Sequence, residues 1–235
     1  MALPFFYINK YDAAQKNIVL NEETSKHVVQ VLRMKVGENL QLTDGKGNLL
    51  ICSITDDNKK HCSVEIEEKR YKAQGTRTVS MAISLIKNAN RFEWFLEKAT
   101  EIGVSEIIPL ICERTEKEKF RFDRMQGICI SAMLQSQQVW LPVLHEPTLY
   151  NEVILKNNDG QKFIAHCTDS KKQSLSNFPI SQFQNSKIFI GPEGDFTAAE
   201  IELALQNNFI PVSLGNTRLR TETAGIVAAT LLCQV

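Results

Sequence analysis

The sequence lacks net charge: 27 Lys and Arg are balanced by 27 Asp and Glu. No global field therefore advertises a polyanionic partner, and any nucleic-acid surface has to be a local patch. It also lacks an apolar run of membrane-spanning length, and the opening MALPFFYINK has no basic stretch leading into a long apolar one. A cytoplasmic protein that keeps off the membrane is expected. Closely spaced cysteines are missing too. Cys52, Cys62, Cys112, Cys129, Cys167 and Cys233 are scattered, four of them inside apolar runs, which points to buried free thiols in a reducing compartment. His61-Cys62 and His166-Cys167 are adjacent pairs, but neighbours in a strand face opposite ways, so neither makes a two-ligand clamp and no metal is expected. Finally, no Gly-rich turn is followed by Gly-Lys-Ser/Thr, which disfavours a phosphoryl-transfer enzyme built on a P-loop.

What is present is 43% apolar and 23% charged residues over 235, enough for a substantial core in one large domain or in a small and a medium one. The first seventy or so residues alternate apolar and polar side chains in FFYINK, NLQLTDGKGNLLICSIT and CSVEIEE. Asp44 to Asn48 supplies the turn residues of a hairpin, and one helix over about 22–33 interrupts the strands. This is the pattern of a small barrel rather than of a βαβ unit. From Lys69 to Thr78 the chain loses periodicity, becomes basic and small, and reads as a linker.

After the linker the rhythm changes. VSMAISLI is a buried strand, and NANRFEWFLEKATEIGV a helix with Phe92, Phe95, Leu96, Ala99 and Ile102 on one stripe, started by Asn90 with Glu93 and ended by Gly103. EIIPLICE, KFIAHCT, KIFIG and IPVSLG are further strands. Helices are expected over about 123–138, after a capping box of Thr197 and Glu200, and in the apolar tail from Ala224 to Val235, with Thr221 or Thr223 as its N-cap. Strands alternating with helices imply an α/β fold, a parallel sheet covered on both faces, with ligands gathered beyond the carboxyl ends of its strands. The expected division is residues 1–72 for the small β domain and 73–235 for the α/β domain.

Two strand ends stand out. IGPEGDF, Ile190 to Phe196, offers glycines and a proline that let a small molecule rest on main-chain groups. LGNTRLRTETAG, Leu214 to Gly225, places Arg218, Arg220 and Glu222 at the edge of an apolar helix. Charged groups cost free energy there unless something pairs with them.

Together and in this order, GPEGD and SLG-x-x-R-LRTETA resemble the SPOUT methyltransferases, specifically the RsmE group, which methylates N3 of a uridine in small-subunit ribosomal RNA. SKHVVQVLRMKVGENLQLTDGKGN and KNANRFEWFLEKATEIGVSEIIPL are similar to further segments of that family, so the likeness covers nearly the whole chain. Asp195 departs from it, standing where the family often has a second glycine, and Gln138 stands where an arginine is common. The resemblance implies a PUA-like RNA-binding barrel followed by an α/β domain with a deep trefoil knot. It also implies a homodimer that uses S-adenosylmethionine on 16S ribosomal RNA within the small subunit. It assigns cofactor contacts to Ile190, Gly191, Pro192, Glu193, Gly194, Leu214, Gly215, Leu219, Thr223 and Ala224, and it has the apolar tail seal that site and the dimer contact.

The expected chemistry follows from uridine N3, which is a poor nucleophile until its proton is lost. Arg220 is the candidate to stabilise the negative charge that then spreads over N3 and the flanking carbonyl oxygens. Glu222 is the candidate either to accept the proton or to orient Arg220 and Thr223. Arg33, Lys35, Lys46, Lys69, Arg70, Lys72 and Arg77 are candidate phosphate contacts, and Arg91 either reaches the substrate or lines solvent. The competing readings are 2′-O-ribose methylation on the same fold and a non-catalytic RNA-binding assembly factor.

Overall fold

The computed structural model describes residues 3–116, 119–156, 160–168 and 171–233. They fall into two compact units, one holding residues up to Gln74 with Met133–Leu141, the other Gly75–Ala132 with the chain from Pro142 onward.

In the first unit β1 (Phe5–Tyr7), β2 (Asn17–Val19), β3 (Asn39–Thr43), β4 (Asn48–Asp56) and β5 (Ser63–Tyr71) form one sheet in the order β1-β3-β4-β5-β2. The two-residue period turns Leu40 and Leu42 of β3, and Leu50, Cys52 and Ile54 of β4, onto a common core with Phe6, Val28 and Val64. The β4–β5 pairing slips between Ile51 and Cys52 and again between Ile54 and Asp56, and such bulges add the twist that curls a sheet around its interior. The hairpin loop is held by the Asp44 carboxylate, which accepts from the Lys46 backbone N–H at 2.9 Å and from Asn48 Nδ2 at 2.7 Å.

Two expectations for this region need correction. The helix expected over 22–33 begins as α1 (Glu22–Lys26), with Asn21 accepting from the Thr24 N–H, but widens into a π turn over His27–Val31 and leaves Arg33 at a φ of 57°. The linker expected from Lys69 is shorter, because β5 continues to Tyr71; Leu49 and Leu50 of β4 still offer ladder partners to Arg70 and Lys69.

In the second unit β6 (Thr78–Ser84), β7 (Glu106–Ile111), β8 (Val143–Leu144), β9 (Thr148–Leu149), β10 (Gln161–Ala165), β11 (Gln173–Ser174), β12 (Asn185–Ile190) and β13 (Ile210–Ser213) make a parallel sheet. Its order is β11-β13-β10-β12-β6-β7-β8, with β9 also on β7. β13 thus enters between β10 and β11, strands laid down before it, an order compatible with the knot that the resemblance implies. The helices are α2 (Ala89–Ile102), α3 (Phe122–Gln135), α4 (Tyr150–Leu155), α5 (Ala198–Gln206) and α6 (Thr221–Cys233).

α4 and α5 cover one face, where Tyr150, Val153 and Ala204 pack on Ala82, Ile164 and Phe189. α2 and α6 meet over β6 on the other. There Gly225 of α6 permits a close approach, since an added Cβ would stand 2.6 Å from the Phe95 ring and 2.9 Å from Ile83 Cδ1, so these buried side chains would have to shift.

The capping box of Thr197 and Glu200 forms in full. Three end signals differ from expectation. α2 is capped by Asn88 rather than Asn90, because the Glu93 carboxylate is taken by the Arg124 guanidinium at 2.6 and 2.8 Å and does not reach back to a cap. α3 stops at Gln135, and Gln137 adopts a φ of 57°. Neither Thr221 nor Thr223 precedes α6, which starts at Thr221 itself; of the expected tail, residues 234–235 lie outside the described residues.

Candidate active site

β13, β10 and β12 lie side by side and parallel, so their carboxyl ends open at one edge of the sheet. The loops that follow them enclose a cavity of about 730 Å³. A hydrogen bond joins them: the buried Thr221 hydroxyl, in the first turn of α6, donates to the Gly191 carbonyl at 3.0 Å. The two glycine-bearing turns singled out in the sequence therefore share one cavity, and Thr221 ties them together instead of capping its own helix.

Of the residues assigned to a cofactor, Ile190, Gly191, Pro192, Glu193, Leu214, Gly215, Leu219 and Ala224 line this space. Gly194 and Thr223 do not. The Gly194 carbonyl faces Arg114, whose Nη1 donates to it at 2.7 Å. The Glu193 carboxylate is fixed by the Lys87 backbone N–H at 3.0 Å, so the GPEG turn is anchored from outside as well as from Thr221.

Arg220 and Glu222 both reach the cavity wall, as does Arg218. Arg220 is exposed, whereas Glu222 is buried. The partner of Glu222 is Arg91, with Nε 3.6 Å from Oε1. Among the described residues no ion pair joins Glu222 to Arg220. The orienting contact expected between those two is made instead with Arg91, because α2 packs beside α6 and brings its first turn over the start of that helix. Arg91 accordingly lines the cavity, while Glu97, on the same helix, is engaged by Lys98 at 2.7 Å.

The third loop was not foreseen. His166, Cys167 and Lys172, following β10, complete the wall, together with Asp195. Asp195 has a left-handed φ of 63°, the conformation for which a glycine would be the ordinary choice. Its carboxylate stabilises the turn by accepting from the Cys167 N–H at 2.7 Å and from its neighbour Phe196 N–H at 2.9 Å. His166 is buried, with Nδ1 2.7 Å from the Thr168 hydroxyl, and its Nε2 has no protein partner among the described residues. Burial and the nearby Lys172 ammonium push its pKa down, against a smaller opposing pull from Asp195. The carboxyl-end rule, applied in the sequence to two strands, applied equally to KFIAHCT.

A 730 Å³ space walled by main chain, by apolar Ile190, Val212, Leu214 and Leu219, and by a few charges is of the kind that takes a nucleoside-sized ligand. Residues 73–233 match the family model described as an RNA methyltransferase domain, and residues 20–67 match the RNA methyltransferase PUA domain. The Ribosomal RNA small subunit methyltransferase E of Rickettsia conorii is 32% identical over 227 residues, 94% of this chain and 91% of that protein.

The chain belongs to the RsmE family of RNA methyltransferases.

Solved structures agree with the RsmE assignment. A probable rRNA-methyltransferase from Porphyromonas gingivalis superposes with a TM-score of 0.89 at 35% identity, covering 99% of each chain. The Neisseria gonorrhoeae Ribosomal RNA small subunit methyltransferase E bound to S-adenosyl methionine gives 0.86 at 28% identity, covering 97% of this chain and 95% of that one.

The cations suggested for RNA in this RsmE-family chain are not equivalent. Arg33, Lys46 and Lys72 stand exposed on the first unit. Lys35 and Arg70 face Asp57 and Glu68 at 3.3 and 2.5 Å, and Lys69 Nζ donates to the Ala13 and Gln15 carbonyls. Arg77, on the second unit, has its Nη1 buried and lies close enough to Cys233 to pull that thiol's pKa down against the larger rise from burial.

Proposed function

We propose that the chain methylates N3 of a uridine in small-subunit (16S) ribosomal RNA, with S-adenosylmethionine as donor, as a homodimer in the cytoplasm. Residues 1–72 would serve RNA binding and residues 73–235 the reaction. The observation that carries the reading is the Thr221–Gly191 bond, which gathers both glycine-bearing turns and Arg220 around one cavity. His166 Nε2, buried there and without a protein partner among the described residues, fits a wall made for a polar ligand.

When bound, S-adenosylmethionine supplies a methyl group already activated on a sulfonium. The main chain of the Gly191–Glu193 and Leu214–Leu219 turns, which lines the cavity, would hold and orient the ligand, the positioning part of catalysis. The exposed Arg220 guanidinium stabilises the charge that develops on the uracil ring as N3 loses its proton. Glu222, buried against Arg91, orients that arginine at the wall. A pH–rate profile for Glu222→Gln that keeps the wild-type shape and amplitude removes Glu222 as the proton acceptor. A profile that loses its acidic limb makes it the base.

Incubating small-subunit RNA with the protein and S-adenosylmethionine, followed by reverse transcription, tests the reading. A methyl on N3 blocks the pairing edge and gives a stop at one uridine. A ribose methyl leaves that edge free, and an assembly factor transfers nothing; either result defeats the proposal.

A further inference from the structure

On the first unit an exposed tyrosine and a partly buried tryptophan meet at the surface. Tyr71 is 65% exposed, and Trp140 meets it edge-on at 6.2 Å between centroids and 76° between planes. The indole is pinned, since its Nε1 donates to the Lys72 carbonyl at 2.8 Å and its backbone bridges to Lys46. Gly47 lies beneath both rings. It has a φ of 90°, and an added Cβ would come within 2.7 Å of Trp140 Cζ2 and 2.8 Å of Tyr71 Cε2.

Two lysines frame the pair, Lys46 and Lys72, both exposed and neither ion-paired among the described residues. The carboxylates closest in sequence are already committed, Asp44 to the Lys46 N–H and Asn48, and Glu68 to Arg70. The patch is an aromatic pair held in place by its own backbone contacts, with two lysines at its edge that form no ion pair among the described residues. All four residues except Lys46 lie beyond the 20–67 segment that matches the PUA model.

We propose that Tyr71 and Trp140 form a stacking platform for an unpaired RNA base, with Lys46 and Lys72 gripping the flanking phosphates. Any base offers a π face, so such a platform favours single-stranded over duplex RNA without reading sequence, while the lysines add a salt-dependent term. The inference rests on the RNA methyltransferase reading and adds the mode by which RNA is held.

The test is binding of a labelled single-stranded RNA to the full chain over a range of salt. Tyr71→Ala should weaken binding about 5- to 150-fold, and Tyr71→Phe should bind as wild type. The salt slope of Tyr71→Ala should stay unchanged, while Lys46→Ala with Lys72→Ala should lower it by about two. In a Trp94→Phe background, single-stranded RNA should quench Trp140 fluorescence and an abasic strand should not, a readout that survives if Tyr71→Ala folds poorly. Wild-type affinity in Tyr71→Ala, equal loss in Tyr71→Phe, or absent quenching overturns the platform and leaves the patch to a protein partner. Methyl transfer at saturating RNA reports separately on the proposed reaction, which stands or falls independently of Tyr71.

Discussion

On the first unit, Lys35 faces a partly exposed Asp57 at 3.3 Å, and Arg70 faces Glu68 at 2.5 Å with both of these side chains exposed. At the cavity of the second unit, Glu222 keeps only 10% of its side chain accessible and faces Arg91 at 3.6 Å. Exposed pairs gain little, because water screens them and long side chains lose freedom in forming them. A carboxylate near the edge of a core, by contrast, must be partnered, and its partner fixes where it points. The first unit can thus lose or gain single surface charges at little cost to its fold. The second unit holds its charges in set places around a space, which is what a reaction at one atom requires.

The largest effect that would sharpen this contrast is on Arg220. Arg220→Ala should lower turnover about 100- to 1,000-fold, the range for removing one stabiliser of developing charge, with the dissociation constant for S-adenosylmethionine nearly unchanged. Calorimetry beside single-turnover kinetics separates the two, and equal loss in both would make Arg220 a binding residue. Thr221→Val comes next. It keeps the shape and leaves the buried Gly191 carbonyl without its donor, at a cost of about 1–3 kcal/mol in denaturant unfolding, and should weaken cofactor binding as the turns part.

A smaller effect concerns His166, whose pKa is held below the ordinary 6.5. Below pH 6.5 the unfolded chain takes up a proton that the folded chain refuses, so stability should decline as pH falls from there, by at most about 1.4 kcal/mol per pH unit. Above that pH the residue contributes no slope. His166→Gln should flatten this part of the pH dependence, and an unchanged profile would mean that the imidazole protonates freely in the fold. Smallest of all, Lys35→Ala should change stability by less than about 0.5 kcal/mol despite its visible ion pair. A larger loss there would break the contrast between the units.

Much of this architecture was legible in the sequence because it is written in periodicity. The alternation in NLQLT and NLLICSIT became β3 and β4, and Phe92, Phe95, Leu96 and Ala99 of the expected stripe became the buried face of α2, while its last member, Ile102, is only partly buried. Local end signals were less dependable where a distant residue competed for the same group, as Arg124 did for Glu93 and Gly191 for Thr221. The insertion of β13 between β10 and β11 leaves no periodic trace at all. At the site, the two turns were legible from their glycines and charges. The Arg91–Glu222 pairing was not, since it depends on how α2 lies against α6, and neither was the His166 wall, which comes from a strand end of ordinary composition.

The most direct test of the central claim is a crystal structure of the chain grown with S-adenosylmethionine. The cofactor is expected between the Gly191 and Leu214 turns, with its methyl-bearing sulfur toward the open side where Arg220 stands. A cofactor bound on any other surface, or Arg220 turned away from the methyl group, would contradict the account.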